Sequence, residues 1–348
     1  MWLVMKIGFS IYLGTDEEKN EDVICKAVKA KMEFAFTSLH IPEENVINYR
    51  STIKGLLAKC NVAGIKLIAD ISPHTLEKLD CVDYEELLDL GFDYIRPDFG
   101  YSDIEIVALS KKFHLVFNAS TMSIRHVKAW ESLGADLTRF IACHNFYPKP
   151  LSGLSFKKVS DMNKLFRSLG MMTMTFVAGN LAYREPLFLG LPTVEKQRNG
   201  DVFLNMLELF DKGASDIVLI GDVDVSDDVW ERIRDYHEGY ISLRCAIEGD
   251  YKFVRDIVHH DRPDSSEYVI RSQESRFYDR KILQEEVLPR PMGTVFISNE
   301  AYLRYEGELE IARVDLAGDK RVNVIGSVLE DNWKYLPYVK DGMGFKLV

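Results

Sequence analysis

The sequence predicts an α/β protein built on a (β/α)8 TIM barrel, with a smaller, mostly β domain after it. Eight short apolar runs recur through the first two-thirds of the chain, and nearly every one ends in polar or charged residues. Segments of helical periodicity lie between them, among them EDVICKAVKAKM, ENVINYRSTIKGLLAKC and SIRHVKAWESLG. Strand followed by helix, eight times over, is what such a barrel requires. Barrel chemistry is built from the C-terminal strand ends and the loops that follow them. The polar fringe therefore marks the site before it identifies the reaction.

Side chains alternate along a strand, so one face fixes the inward set. A buried parallel strand should carry inward polar groups only near its C-terminal end. In KLIADISP this puts Asp70 and Ser72 on the axis with Ile68. The same rule predicts Ser10 and Tyr12 from KIGFSIYLG, Ser38 and His40 from FAFTSLHIP, and Arg96 and Asp98 from YIRPDFG. It continues with Asn118 and Ser120 from HLVFNAST, His144 from FIACHNFYP and Asp222 from DIVLIGDVD. MTFVAGN instead contributes an apolar wall of Met174, Phe176 and Ala178. Acids, histidines and an arginine gathered at strand tops are costly to desolvate without partners or a purpose. Two loops add candidates: HNFYPKPLSGLS (144–155) brings Asn145, and the long connection 180–200 brings Glu195 and Arg198 over the barrel mouth.

After VSDDVWERIRDYHEG the alternation stops. Short β runs follow (YISLRCAI, EYVIRSQ, GTVFISN, GELEIARV, VNVIGSV, GFKLV), separated by Gly, Asp, Asn and Pro turns. The expected division is a barrel over 1–238 and a small antiparallel sheet or barrel over 239–348. Within the second part, Arg271 and Arg276 flank Ser272 and Ser275, a group suited to an anion.

Composition narrows the class. The 348 residues are 47% hydrophobic, enough for a full core, and the net charge of −11 argues against nucleic acid or an anionic membrane as partner. The five cysteines match no metal spacing and read as reduced structural thiols. MWLVMKIGFS offers no apolar stretch long enough for a signal peptide or membrane span, so a cytoplasmic location is expected.

No phosphate loop, dinucleotide fingerprint or HExxH motif occurs. A metal held by His40, Asp70 and His144 would need a convergence that sequence cannot supply, so neither metal nor other cofactor is expected. Carboxylates at strand tops, with amides and aromatics around them, are the parts of a carbohydrate site. An aldolase or isomerase would want an inward strand-end Lys, and none is present. A non-catalytic sugar-phosphate sensor is the alternative.

The segments GFSIYLG, FTSLHIPEE, IADISP, IRPDFGYS, FNAST, HNFYPKPLSGLS, LPTVEKQR and LIGDVD, with RPMGTVFISNEAYLRYEGELEIARVDL, give the chain a closer likeness. It resembles the bacterial 6-phospho-N-acetylmuramidases, formerly labelled outer surface proteins, over nearly its whole length. The resemblance implies a TIM barrel followed by a cyclophilin-like domain. It also implies cleavage of N-acetylmuramic acid 6-phosphate–β-1,4–N-acetylglucosamine inside the cell, in peptidoglycan recycling. Two positions depart from the family pattern: Gln197 in place of His, and Pro97 in place of Leu. In that reaction the acids come from Asp98, Asp70 and Glu195. Asp98 is the expected proton donor, its pKa raised through burial by Phe99 and Tyr101. Arg96, Arg198, Arg271 and Arg276 would hold the phosphate and lactyl carboxylate. His40, His144, Asn118 and Asn145 would supply neutral hydrogen bonds, with Tyr12, Ser120 and Asp222 as further contacts. The small domain is expected to complete the site, and a homo-oligomer is compatible with that.

Overall fold

The computed structural model describes residues 6–39, 48–247, 249–278 and 280–348. The chain divides into two compact units, one running to residue 231 and the other beginning at 232. In the first, β1 (Lys6–Ser10), β2 (Phe34–Ser38), β3 (Lys66–Ile71), β4 (Tyr94–Pro97), β5 (His114–Asn118), β6 (Phe140–Cys143), β7 (Met172–Val177) and β8 (Ile217–Ile220) form a closed parallel barrel. β8 returns to β1 through the register Ile7↔Val218. The expected TIM barrel is thus the observed one.

Alternation fills its interior. Phe34 and Phe36, Ile68, Tyr94, Val116, Ile141 and Cys143, Met174 and Phe176, and Ile217 and Leu219 form one buried cluster. Met174 and Phe176, two of the three residues of the apolar wall expected of β7, belong to it. Gly8 occupies the inward position of β1 because nothing larger fits: a Cβ there would collide with the Phe34 carbonyl and come within 2.5 Å of Leu219 Cδ2. Truncating an aromatic in such a layer to Ala costs about 3–5 kcal/mol.

The three helical stretches singled out in the sequence correspond to helices Glu17–Lys29, Tyr49–Val62 and Ile124–Ser132. Several helix starts are capped by side chains. Ser102 and Glu105 form a reciprocal capping box, Asp16 caps Glu17–Lys29, and Ser155 caps Phe156–Ser168. No helix among the described residues is long and apolar enough to cross a membrane.

The second unit is mostly β. β9 (Tyr240–Leu243), β10 (Cys245–Ile247), β11 (Val258–His260), β12 (Val269–Arg271), β13 (Thr294–Ser298), β14 (Leu309–Ala312), β15 (Val322–Val328) and β16 (Gly344–Leu347) make two sheets. A five-stranded sheet runs β10-β15-β13-β14-β12 and a three-stranded one runs β11-β16-β9. All six β runs read from the sequence form strands, with two refinements. YISLRCAI is divided between the two sheets, and β16 pairs with β9 in parallel, so the unit is not wholly antiparallel.

Candidate active site

Strands β2, β3, β4 and β7 and the loop after β6 surround a cavity of about 230 Å3 at the C-terminal end of the barrel. Its polar core is Asp70, Arg96, Asp98 and Asn145, and its walls include Phe36, Phe146, Phe176 and Arg184. The register Asp70↔Arg96 sets the acid of β3 beside the arginine of β4. Arg96 Nη1 donates to Asp70 Oδ1 at 2.7 Å and to Asp98 Oδ1 at 3.3 Å, while Nη2 donates to the Asn145 side-chain oxygen. The two carboxylate oxygens that share this nitrogen are therefore at most 6.0 Å apart. Burial alone would depress the basicity of Arg96, but the adjacent Asp70 outweighs it and holds the guanidinium charged. Cys143, below it, is pushed up to about 12 by burial, so it is a thiol and not a nucleophile.

Asp98 follows β4 directly, its amide bonded to the Ile71 carbonyl at 3.0 Å. Its side chain is 28% exposed against 10% for Asp70. The expected apolar cover is not there: Phe99 is 56% exposed, and the Tyr101 hydroxyl bonds Tyr84. Asp98 is instead open toward the cavity beside a cation. The apolar surface comes from Phe36, Phe146 and Phe176, packed edge-to-face with centroids 5.2–6.1 Å apart.

Asn145 is held from behind. Ser120 Oγ accepts its amide proton at 3.0 Å, and its carbonyl accepts from Thr193 Oγ1 at 2.9 Å. Ser120 in turn lies 3.3 Å from His144 Nδ1, and His144 Nε2 lies 3.1 Å from Asn163 Oδ1. The Asn163 amide donates to Gly213 O and Ser215 Oγ, which turns its oxygen toward the histidine. Nε2 therefore carries the proton and Nδ1 accepts from Ser120. His144 is fully buried and burial lowers its pKa to about 4. This refines the expected inward histidine: Ile141 and Cys143 are the inward residues of β6, and His144, though it borders the cavity, is bonded through Nε2 to Asn163 of helix Phe156–Ser168 and through Nδ1 to Ser120. His144 and Asp70 therefore do not converge as ligands, and His40 lies outside the described residues. Among the described residues no group of three or more potential metal ligands is assembled.

Asp222 and Glu195 also differ from expectation. Asp222 is buried just past β8 and accepts the amides of Gly179 (2.8 Å), Leu191 (3.0 Å) and Arg184 (3.1 Å). It anchors the 180–200 connection instead of presenting a free carboxylate to the cavity. Glu195 receives Arg198 Nε at 2.8 Å and Nη2 at 2.7 Å, with the amides of Leu151 and Gly153 at 2.9 and 2.8 Å. Arg198 chiefly, then those amides, hold its carboxyl down to about 2. A carboxylate with four donors is a clamp between two loops, not a proton donor. Arg198 uses its other contacts on the carbonyls of Tyr147, Lys149, Leu189 and Gly190. Gln197, the position that departs from the family pattern, bonds Glu208 Oε2 at 2.8 Å and does not line the cavity.

Tyr12 donates to the Gly221 carbonyl and packs with Leu191 against Phe146, so it backs a wall of the cavity and does not itself line it. Asn118 closes an Asx turn on the Ser120 amide at 3.0 Å. In the second unit, Arg271 is engaged by Asp264, and Arg276 by Glu308 at 2.7 Å.

Sequence reasoning passed over Arg184. Its guanidinium lies 4.6 Å from the Tyr12 ring centroid and 5.8 Å from that of Phe146. It sits in a loop with no periodicity, so its neighbours could not be read from its place in the chain.

Comparison with known proteins agrees with this architecture. Residues 7–235 match the family model described as 6-phospho-N-acetylmuramidase, N-terminal, and residues 241–348 the one described as 6-phospho-N-acetylmuramidase, C-terminal. A conserved protein of unknown function from Enterococcus faecalis has a similar structure, with a TM-score of 0.81 and 32% identity over 99% of this chain and 96% of that one. An uncharacterised B. cereus protein, 24% identical over 99% of this chain and 100% of that one, shares the fold with a TM-score of 0.74. No curated protein matches the chain.

Proposed function

The chain belongs to the 6-phospho-N-acetylmuramidase family, and on that premise we propose that it hydrolyses the β-1,4 bond of N-acetylmuramic acid 6-phosphate–N-acetylglucosamine, inside the cell, in peptidoglycan recycling. The observation that carries the proposal is the Asp70–Arg96–Asp98 cluster in an aromatic-walled cavity at the barrel's C-terminal end. One guanidinium faces two carboxyl groups, so the cluster is neutral when one of the two carries a proton. Asp98, with the longer contact to Arg96 and the greater exposure, is the group able to present that proton to a ligand.

In this reading Asp98 donates its proton to O4 of the departing N-acetylglucosamine as the C1–O4 bond breaks. Asp70 stabilises the positive charge that develops at C1. Water then adds to C1, and its proton returns to Asp98. The phenylalanines give a sugar ring an apolar wall, and Asn145 offers its amide nitrogen to a hydroxyl.

The test is to assay the full-length protein on the disaccharide with and without the 6-phosphate. Cleavage of the phosphorylated form at a kcat/KM at least roughly a hundredfold higher is expected, since two charge-assisted contacts contribute about 1.5–3 kcal/mol each. Comparable rates on both would return the function to a general β-hexosaminidase.

A further inference from the structure

The cavity is lined by two cations, and they are in different states. Arg96 is bound on both terminal nitrogens, by Asp70 and Asp98 on one and Asn145 on the other. Arg184 is not. Among the described residues its guanidinium makes no hydrogen bond and no ion pair within 4 Å; it stacks on the faces of Tyr12 and Phe146, with the Asp222 carboxylate as a more distant electrostatic neighbour. A guanidinium stacked on aromatic rings keeps its in-plane N–H groups available, and that planar fork matches two oxygens of a phosphate or carboxylate. Its backbone is fixed as well: Asp222 accepts the Arg184 amide, and with it those of Gly179 and Leu191, so a buried carboxylate of the barrel ties this loop down on both sides of the arginine.

The geometry points to Arg184 as the residue that recognises an anionic oxygen group of the sugar, either its phosphate or its lactyl carboxylate. Arg198, the cation expected from sequence to do this, is taken up by Glu195 and four backbone carbonyls. Asp222 is a positioning residue for Arg184. This assignment rests on the reading of the cavity as a sugar site, and it adds the class of group that the free arginine selects.

The experiment compares full-length wild type with Arg184→Gln and Arg184→Lys on three disaccharides: the complete substrate, one lacking the 6-phosphate and one lacking the lactyl group. Alongside, binding of N-acetylglucosamine 6-phosphate and of N-acetylmuramic acid is measured by calorimetry. The expected result is that Arg184→Gln lowers kcat/KM on the complete substrate by about a hundredfold, the effect of two lost charge-assisted contacts. The preference for one of the two anionic groups should collapse toward one, identifying which group Arg184 reads, and Arg184→Lys should restore part of it. Equal losses on all three substrates, or an unchanged preference, would overturn the assignment. If the wild type cleaves nothing, the glycosidase reading fails by itself. Arg184 is then judged by binding: loss of either ligand in Arg184→Gln upholds it, and unchanged binding of both overturns it.

Discussion

Glu195 and Arg198 form a bidentate pair across one short 3-10 turn, with both contacts at 2.7–2.8 Å. The pair joins the loop after β6 to the loop after β7, and Gly153 allows it: a Cβ at that position would come within 2.6 Å of Glu195 Oε2. A carboxyl whose folded pKa is depressed stabilises the fold above its ordinary pKa and loses that contribution as pH falls through the folded value. Here the window runs from 4.5 down to about 2. Glu195→Gln should lower stability by about 2–3 kcal/mol at neutral pH, because it removes one partner of a largely buried pair. Arg198→Met should do the same, and the double mutant should lose clearly less than the sum. Additive losses in denaturant melts would show that the two residues act separately.

His144 should be invisible in the pH profile of activity between pH 5 and 8. Its folded pKa is about 4 against an ordinary 6.5, so the unfolded chain binds its proton first and stability falls as pH drops from 6.5 toward 4. Asn163→Leu leaves Nε2 without its acceptor and frees the tautomer. It should raise KM through a displaced Asn145 while keeping the pH optimum. A shifted acidic limb in the kcat profile would mean that His144 takes part in proton transfer.

The two aspartates should separate by leaving group. Asp98→Asn should reduce kcat on the disaccharide by about 10²–10⁴-fold, the usual worth of a general acid. On an aryl glycoside of the same sugar phosphate, whose leaving group needs no proton, the loss should be far smaller. Asp70→Asn should impair both substrates, since it also strips Arg96 of the closer of its two carboxylate partners. Equal behaviour of the two variants on both substrates would remove Asp98 from the donor role.

The two oxygens sharing Arg96 Nη1 are at most 6.0 Å apart, and in the proposed reaction Asp98 acts as acid and then as base on one face of C1. Inverting pairs are spaced at roughly 6.5–9.5 Å and retaining pairs near 5–5.5 Å. Proton NMR during turnover should therefore show the β anomer of the phosphorylated sugar first. Initial appearance of the α anomer would contradict this.

Glu310 on β14 gives the second unit its own pH signature. Burial first, and Glu308 beside it, raise its carboxyl to about 7. A raised folded pKa contributes stability below the ordinary value of 4.5 and loses it as pH climbs through about 7. Glu310→Gln should flatten that part of the stability–pH curve, and an unchanged curve would exclude Glu310 as its source.

The barrel was legible because burial imposes a period of two on every strand. The rule that inward polar groups cluster at strand ends found Asp70, Arg96 and Asp98, which meet in one cavity. It failed at His144 because a buried histidine can be satisfied from outside the barrel, and Asn163 does so from the following helix. It also failed at Asp222, whose three amide donors come from loop backbone that leaves no side-chain pattern. The i,i+3 spacing of Glu195 and Arg198 was in the sequence, and reading it as a pair would have removed both from the substrate contacts. Arg184 had no such signal, since its position depends on Tyr12 and Phe146 from distant parts of the chain.

The most direct test of the account is turnover of N-acetylmuramic acid 6-phosphate–β-1,4–N-acetylglucosamine by the full-length protein in ¹⁸O-labelled water, followed by mass spectrometry of both products. Hydrolysis at C1 predicts one labelled oxygen at C1 of the released N-acetylmuramic acid 6-phosphate and none at O4 of N-acetylglucosamine, with release by Asp98→Asn slowed by about 10²–10⁴-fold. Label at O4 of the N-acetylglucosamine, or an intact disaccharide after prolonged incubation with wild type, would contradict it.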